Sequence, residues 1–122
     1  MLTVETLQKE SHRIAREHGW WEHYSGTNKA TEELIVMNKL MLVVSEIAEV
    51  VEEIRRGELD FDCIVRYNED SGKPVGIAVE LADAIIRIAD LSEYLGVDLT
   101  EALLVKQIYN ETRPWKHGGK KV

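Results

Sequence analysis

Ser45-Glu46-Ile47-Ala48-Glu49-Val50-Val51-Glu52-Glu53 sets two carboxylates, Glu46 and Glu49, three residues apart inside a largely apolar run. Further along, Glu80-Leu81-Ala82-Asp83 does the same, followed by Arg87 and Asp90. Residues three and four apart share one face of a helix, so each stretch predicts a helix with a paired-carboxylate face. Two such helices side by side aim four oxygen ligands at one point. That donor set suits a hard divalent cation, most simply Mg2+, with Mn2+ as a substitute.

Around the first motif, Met37, Leu40, Met41, Val44, Ile47, Ala48, Val51 and Ile54 recur at about 100° per residue, predicting a long helix over residues 31–56. Gly57, after Arg55 and Arg56, supplies its stop. Lys39, Glu46, Glu49 and Glu53 fall on the opposite side. An acidic stripe opposite an apolar one is ordinarily a solvated face. Here Leu42, Val43 and Val50 flank it, which leaves the helix apolar around most of its circumference.

The second motif sits in the same setting. Ala78, Leu81, Ala82, Ile85, Ile88, Ala89 and Leu95 make one stripe, and Glu80, Asp83, Arg87 and Asp90 the other, narrowed by Val79 and Ile86. Two mostly apolar helices, each with one thin acidic seam, are poorly explained as two unrelated solvated faces. Both are expected to be covered on more than one side, which in so small a chain implies a homo-oligomer.

The rest of the chain supplies shorter elements. Val4, Leu7, Ile14 and Ala15 predict an amphipathic helix over residues 3–18, stopped by Gly19. Residues 20–28 form an aromatic and polar loop, in which Trp20 and Trp21 either plug the end of a bundle or offer a stacking surface for a nucleobase. Between the acidic helices, residues 61–67 read as extended and 68–74 as a turn, so a short hairpin or ordered loop is expected. Asp98, with Glu101 three residues on, opens a fourth helix to about residue 112, and Pro114 lies beyond it.

On that last helix Lys106, Asn110 and Arg113 share a face, and Trp115-Lys116-His117-Gly118-Gly119-Lys120-Lys121 continues as a basic tail. Cations at a helix C-terminus ordinarily just complement its dipole. With Asn110 among them, they also form a set of donors for phosphate oxygens and a sugar hydroxyl.

At 122 residues and 44% hydrophobic content, one helical domain spanning 1–122 accounts for the chain, since two would each lack a core. The net charge of −7 disfavours non-specific affinity for a nucleic-acid polymer. That charge is polarised: residues 106–122 carry +4 and the first 105 carry −11. Cys63 is the only cysteine, so no intrachain disulfide can form, and it is expected to be a semi-buried apolar residue. No apolar run reaches the roughly 18 residues of a membrane span and no signal core opens the chain, which points to a soluble, cytoplasmic protein.

Taken together, the two acidic motifs and the Lys106-Gln107-Ile108-Tyr109-Asn110-Glu111-Thr112-Arg113-Pro114-Trp115 ending resemble the MazG-like all-α nucleoside triphosphate pyrophosphohydrolases, over residues 34–121. The resemblance implies a helical bundle of about four helices, assembled as a dimer or tetramer. It also implies Mg2+-dependent cleavage of nucleoside triphosphates to the monophosphate and pyrophosphate. Glu46, Glu49, Glu80 and Asp83 would be the metal ligands; Glu49 and Glu53 are the catalytic candidates, Glu53, placed one turn beyond Glu49 by the helical spacing, either ligating a second ion or taking the proton of the attacking water. Lys106, Asn110 and Arg113 would contact substrate, with Lys39, Trp20, Trp21 and His117 as further candidates. The 58–75 segment separates the motifs more widely than in compact members, and bears on substrate choice.

Three other chemistries were weighed. A di-iron carboxylate bundle needs a Glu followed three residues later by His, and none of His12, His18, His23 or His117 stands in that relation. No GxxxxGK[ST] stretch occurs, which excludes a phosphate-loop enzyme. The stronger rival is a non-catalytic helical oligomerisation module whose seam only binds cations or a basic partner.

Overall fold

The computed structural model describes residues 1–22, 29–57, 59 and 63–115. Among them are four helices: α1 (Val4–Glu17), α2 (Lys29–Arg55), α3 (Ile77–Leu95) and α4 (Leu99–Thr112). A two-stranded antiparallel pair, β1 (Arg66–Tyr67) and β2 (Pro74–Val75), lies between α2 and α3. The architecture is an all-α bundle with a small hairpin inserted between the acidic helices. None of the described helices is long and apolar enough to cross a membrane.

Local chemistry sets the helix ends. Thr3 caps α1 through a reciprocal box: its hydroxyl accepts from the Thr6 backbone N–H at 3.0 Å, and the Thr6 hydroxyl accepts from the Thr3 N–H at 2.8 Å. Asp98 caps α4 by accepting from the Glu101 N–H at 3.0 Å. Gly96 closes α3 at φ +71°, a left-handed conformation that side chains with a Cβ disfavour. In the hairpin, Asn68 Oδ1 accepts from the backbone N–H groups of Asp70 and Ser71, which holds the turn.

α3 is the central helix and packs along both α1 and α2, while α4 makes its main contact with α1. The α3–α4 corner is pinned by buried Gln8, whose amide donates to the Val97 carbonyl at 2.8 Å and accepts from the Leu99 N–H at 3.3 Å. Along α2 the buried positions are Ile35, Lys39, Val43 and Glu46. The charged seam therefore faces the inside of the chain. The apolar stripe of Met37, Leu40, Met41, Val44, Ile47, Val51 and Ile54 faces out, each side chain 44–60% exposed.

The same inversion holds on α3, where Ala84, Ala89, Asp90 and Leu91 are buried while Leu81, Ile85 and Ile88 are exposed. None of the described residues of α4 is buried, and beyond half-buried Leu99 all are exposed, including Leu103, Leu104, Val105 and Ile108. Burying a Leu, Ile or Val fully stabilises by about 1.5–3 kcal/mol, so these faces hold a large unrealised gain. Cys63 differs from its expected place: it is exposed, with its thiol donating to the Leu59 carbonyl at 3.0 Å. It sits in the inter-helix segment, outside the bundle core.

Candidate metal centre

The helical periods of α2 and α3 bring Glu46, Glu80 and Asp83 together, with one oxygen of each within 4.8 Å of the others. Glu46 is buried, and Glu80 and Asp83 are half-buried. Two carboxylates at ~4 Å repel by about 4 kcal/mol at an effective dielectric near 20, so three together resist full ionisation. Burial, then hydrogen bonding and repulsion from Glu49, then the charge of Asp83, push the Glu80 carboxyl up to about 7. Asp83 is raised as well, first by burial and then by the charge of Glu46, with Arg87 and Lys73 pulling the other way. Arg87 Nε donates to Glu46 Oε1 at 2.7 Å and so neutralises part of the cluster.

Two neighbours on α2 extend the acidic seam. Glu49 is exposed at the rim, in hydrogen-bonding range of Glu80. Glu53 lies one turn further on, its side chain only 13% exposed, and its Oε2 is buried without a hydrogen-bond partner among the described residues. Its other oxygen stands 3.8 Å from the Arg56 guanidinium. An unsatisfied buried acceptor costs about 1–3 kcal/mol, which a bound cation or water relieves.

These residues fit a divalent cation. The donors are all carboxylate oxygens, with no nitrogen or sulfur, which suits a hard cation. A bound cation's charge would offset the crowding that raises the Glu80 carboxyl. Glu46, Glu80 and Asp83 are the residues the structure brings together, with Glu49 beside them rather than among the three converging oxygens.

The raised Glu80 carboxyl has a measurable consequence. The folded chain binds this proton more tightly than the unfolded one, so between about pH 4.5 and 7 the metal-free protein loses stability as pH rises, then levels off. Saturating Mg2+ replaces the proton and is expected to flatten that loss and to release protons near pH 7. Thermal unfolding from pH 4.5 to 8, with and without Mg2+, checks the sign. A metal-free midpoint that rises steadily across this window would contradict the raised carboxyl.

Next to the acidic cluster lies a buried polar network. Asp90 accepts from His12 Nδ1 at 2.8 Å and from Trp21 Nε1 at 3.0 Å. Trp21 stacks on Tyr94 with ring centroids 4.4 Å apart, and Lys39 Nζ sits 4.2 Å over the Trp21 ring. Lys39 also donates to the Trp20 carbonyl at 2.9 Å, and burial lowers its pKa. Trp21 and Lys39 thus engage each other, at the end of the bundle. Asp90 belongs to the acidic seam legible in the sequence, but its partners His12 and Trp21 and the Tyr94 ring stacked on Trp21 do not follow from it; the signal was a polar run of Gln8, Ser11 and His12 on one face of α1.

Trp20 is placed differently. Its ring is 57% exposed and lines a cavity of about 410 Å3 with Leu7, Ile14, Ala15 and Ile86. Glu46, Asp83 and Arg87 line the same cavity, so an apolar wall runs into the charged cluster. A larger trough of about 820 Å3 lies elsewhere, between α1, the end of α3 and α4, where Leu104, Val105 and Ile108 alternate with Glu5, Glu93 and Glu101; these acids do not converge as Glu46, Glu80 and Asp83 do.

Lys106 and Asn110 lie on α4, which packs mainly on α1, whereas Arg113, expected on the same helix face, is the C-cap residue with extended backbone just past the helix; no hydrogen bond or ion pair joins the three to the carboxylates among the described residues. Lys106 Nζ instead rests 4.9 Å over the Tyr109 ring. His117 lies outside the described residues. Compared with family models, curated proteins and solved structures, the chain finds no match in any of the three.

Proposed function

We propose that this chain is a Mg2+-dependent nucleoside triphosphate pyrophosphohydrolase, cleaving the triphosphate to the monophosphate and pyrophosphate. The observation that carries the reading is the convergence of Glu46, Glu80 and Asp83, the first and last of which also line a cavity walled by Trp20 and aliphatic side chains. Carboxylates alone suit any hard cation. An aromatic, apolar wall joined to them suits a ligand that is flat and apolar at one end and polyanionic at the other.

In this reading Glu46, Glu80 and Asp83 hold the cation, which when bound draws in phosphate oxygens and acidifies the attacking water. Water adds to phosphorus, the bond between the α- and β-phosphates breaks, and pyrophosphate leaves. Glu53, with one bare buried oxygen on the same seam, accepts the proton of that water. Glu49 at the rim completes the acidic wall. Trp20, whose ring lines the cavity with His18 tilted against it at 5.7 Å, offers its exposed part to the base.

The outward apolar faces of α2, α3 and α4 support a homo-oligomer. In such an assembly Lys106, Asn110 and Arg113 reach a cluster of carboxylates from a neighbouring copy rather than from their own chain. A cytoplasmic setting also keeps exposed Cys63 reduced.

Pyrophosphate release from canonical and modified nucleoside triphosphates, ribo- and deoxyribo-, tests the reading. It predicts equal amounts of monophosphate and pyrophosphate from one or a few substrates, only with Mg2+ or Mn2+. Absence of pyrophosphate throughout, from folded protein that binds Mg2+, would leave a non-catalytic cation-binding oligomer.

A further inference from the structure

Arg87 is the only cation hydrogen-bonded to the carboxylate cluster among the described residues, and it uses its guanidinium sparingly. Its Nε donates to Glu46 Oε1 at 2.7 Å, and no other hydrogen bond or ion pair of this side chain is found among the described residues. A guanidinium carries five N–H donors in a planar fork, so four remain. The side chain is 39% exposed. It lines both the 410 Å3 cavity, with Glu46 and Asp83, and an adjoining one of about 260 Å3, with Trp20 and Asp90. It therefore stands where the carboxylates end and the apolar slot begins.

A half-exposed arginine beside acids is often no more than their counter-ion. The geometry here offers more, because the bond to Glu46 runs through Nε, at the inner side of the fork. The terminal nitrogens belong to the part of the side chain furthest from the helix. Planar, two-pronged donors of this kind match phosphate oxygens.

We infer that Arg87 is a phosphate-binding residue of this site, its Nε fixing the Glu46 carboxylate and its terminal N–H groups receiving a phosphate oxygen of the bound substrate. The inference rests on the pyrophosphohydrolase reading. It gives Arg87 two tasks that a single substitution separates. A cation beside a metal site repels the metal, whereas a cation at a phosphate attracts the ligand.

The test uses the full chain and two probes, Mg2+ alone and imidodiphosphate, a non-hydrolysable pyrophosphate analogue, in saturating Mg2+. Binding is followed by calorimetry for wild type, Arg87→Gln and Arg87→Lys. In Arg87→Gln, Mg2+ alone is expected to bind as tightly as in wild type or more so. Imidodiphosphate is expected to bind about 10- to 100-fold more weakly, the loss of charge-assisted hydrogen bonds. Arg87→Lys keeps the charge without the fork and recovers part of that loss.

Parallel losses for both probes in Arg87→Gln would make Arg87 only a support for Glu46 and overturn the inference. Unchanged imidodiphosphate binding would overturn it too, leaving the metal site standing. Wild-type protein that binds no Mg2+ would overturn the metal reading itself, and this inference with it.

Discussion

Glu80→Gln is expected to reduce Mg2+-dependent turnover on the order of 1,000-fold or more while making the metal-free protein more stable. The two effects share one cause. Glu80 is held to about 7 by burial and by its acidic neighbours, so above that pH its negative charge is an electrostatic burden on the fold. Glutamine keeps the shape and removes the charge. It also removes a ligand from the site, and a few kcal/mol of lost transition-state stabilisation corresponds to roughly three orders of magnitude in rate. Turnover assays beside thermal unfolding at pH 8 check both. A variant that loses turnover and stability together would point to misfolding; one that keeps turnover would remove Glu80 from the chemistry.

The second large effect falls at the other end of the same seam. Asp90→Ala is expected to destabilise the protein by about 3–5 kcal/mol, the range for deleting one partner of a buried charged network. Asp90 accepts from His12 and Trp21, and its charge supports the ammonium of buried Lys39. Without it, two donors and a cation lose their compensation at once. Against a typical stability of ~5–15 kcal/mol the loss is severe. Urea unfolding measures it. A change below about 1 kcal/mol would mean that water replaces the carboxylate, and that the network does not hold α1 to α3.

Much of this architecture is legible in the sequence, because the signals involved are local. Gly57, Gly96 and Asp98 mark helix ends through φ preference and a capping oxygen, whatever the rest of the chain does. The pairing of Glu46 with Glu80 and Asp83 follows from helical period once two helices lie side by side. Which face of α2 turns inward is another matter. Periodicity defines an apolar stripe and a charged one, but it does not say which neighbour takes which. Here the charged seam, with Lys39, Val43 and Glu46, packs against α3, and the apolar stripe is left outside.

The fate of single side chains is less legible still. Trp20 and Trp21 are adjacent and chemically alike, yet one ring lines an open cavity while the other is held by Tyr94, Lys39 and Asp90. That difference depends on residues up to 73 positions away in sequence. The Glu46–Arg87 bond has the same character, since it exists only because of the depth at which the two helices meet. Lys106 and Asn110 share a helix face, as their spacing requires, but Arg113 falls just past the helix end in extended backbone, and the direction in which α4 leaves the bundle decides what that face meets.

The central claim is that Glu46, Glu80 and Asp83 bind a divalent cation, and Mn2+ titration followed by electron paramagnetic resonance tests it most directly. At pH 7.5, wild-type protein is expected to remove at least one Mn2+ per chain from the free signal, with Mg2+ competing for that site. Glu80→Gln is expected to lose it. Equal Mn2+ binding by wild type and Glu80→Gln, or none by either, would contradict the claim.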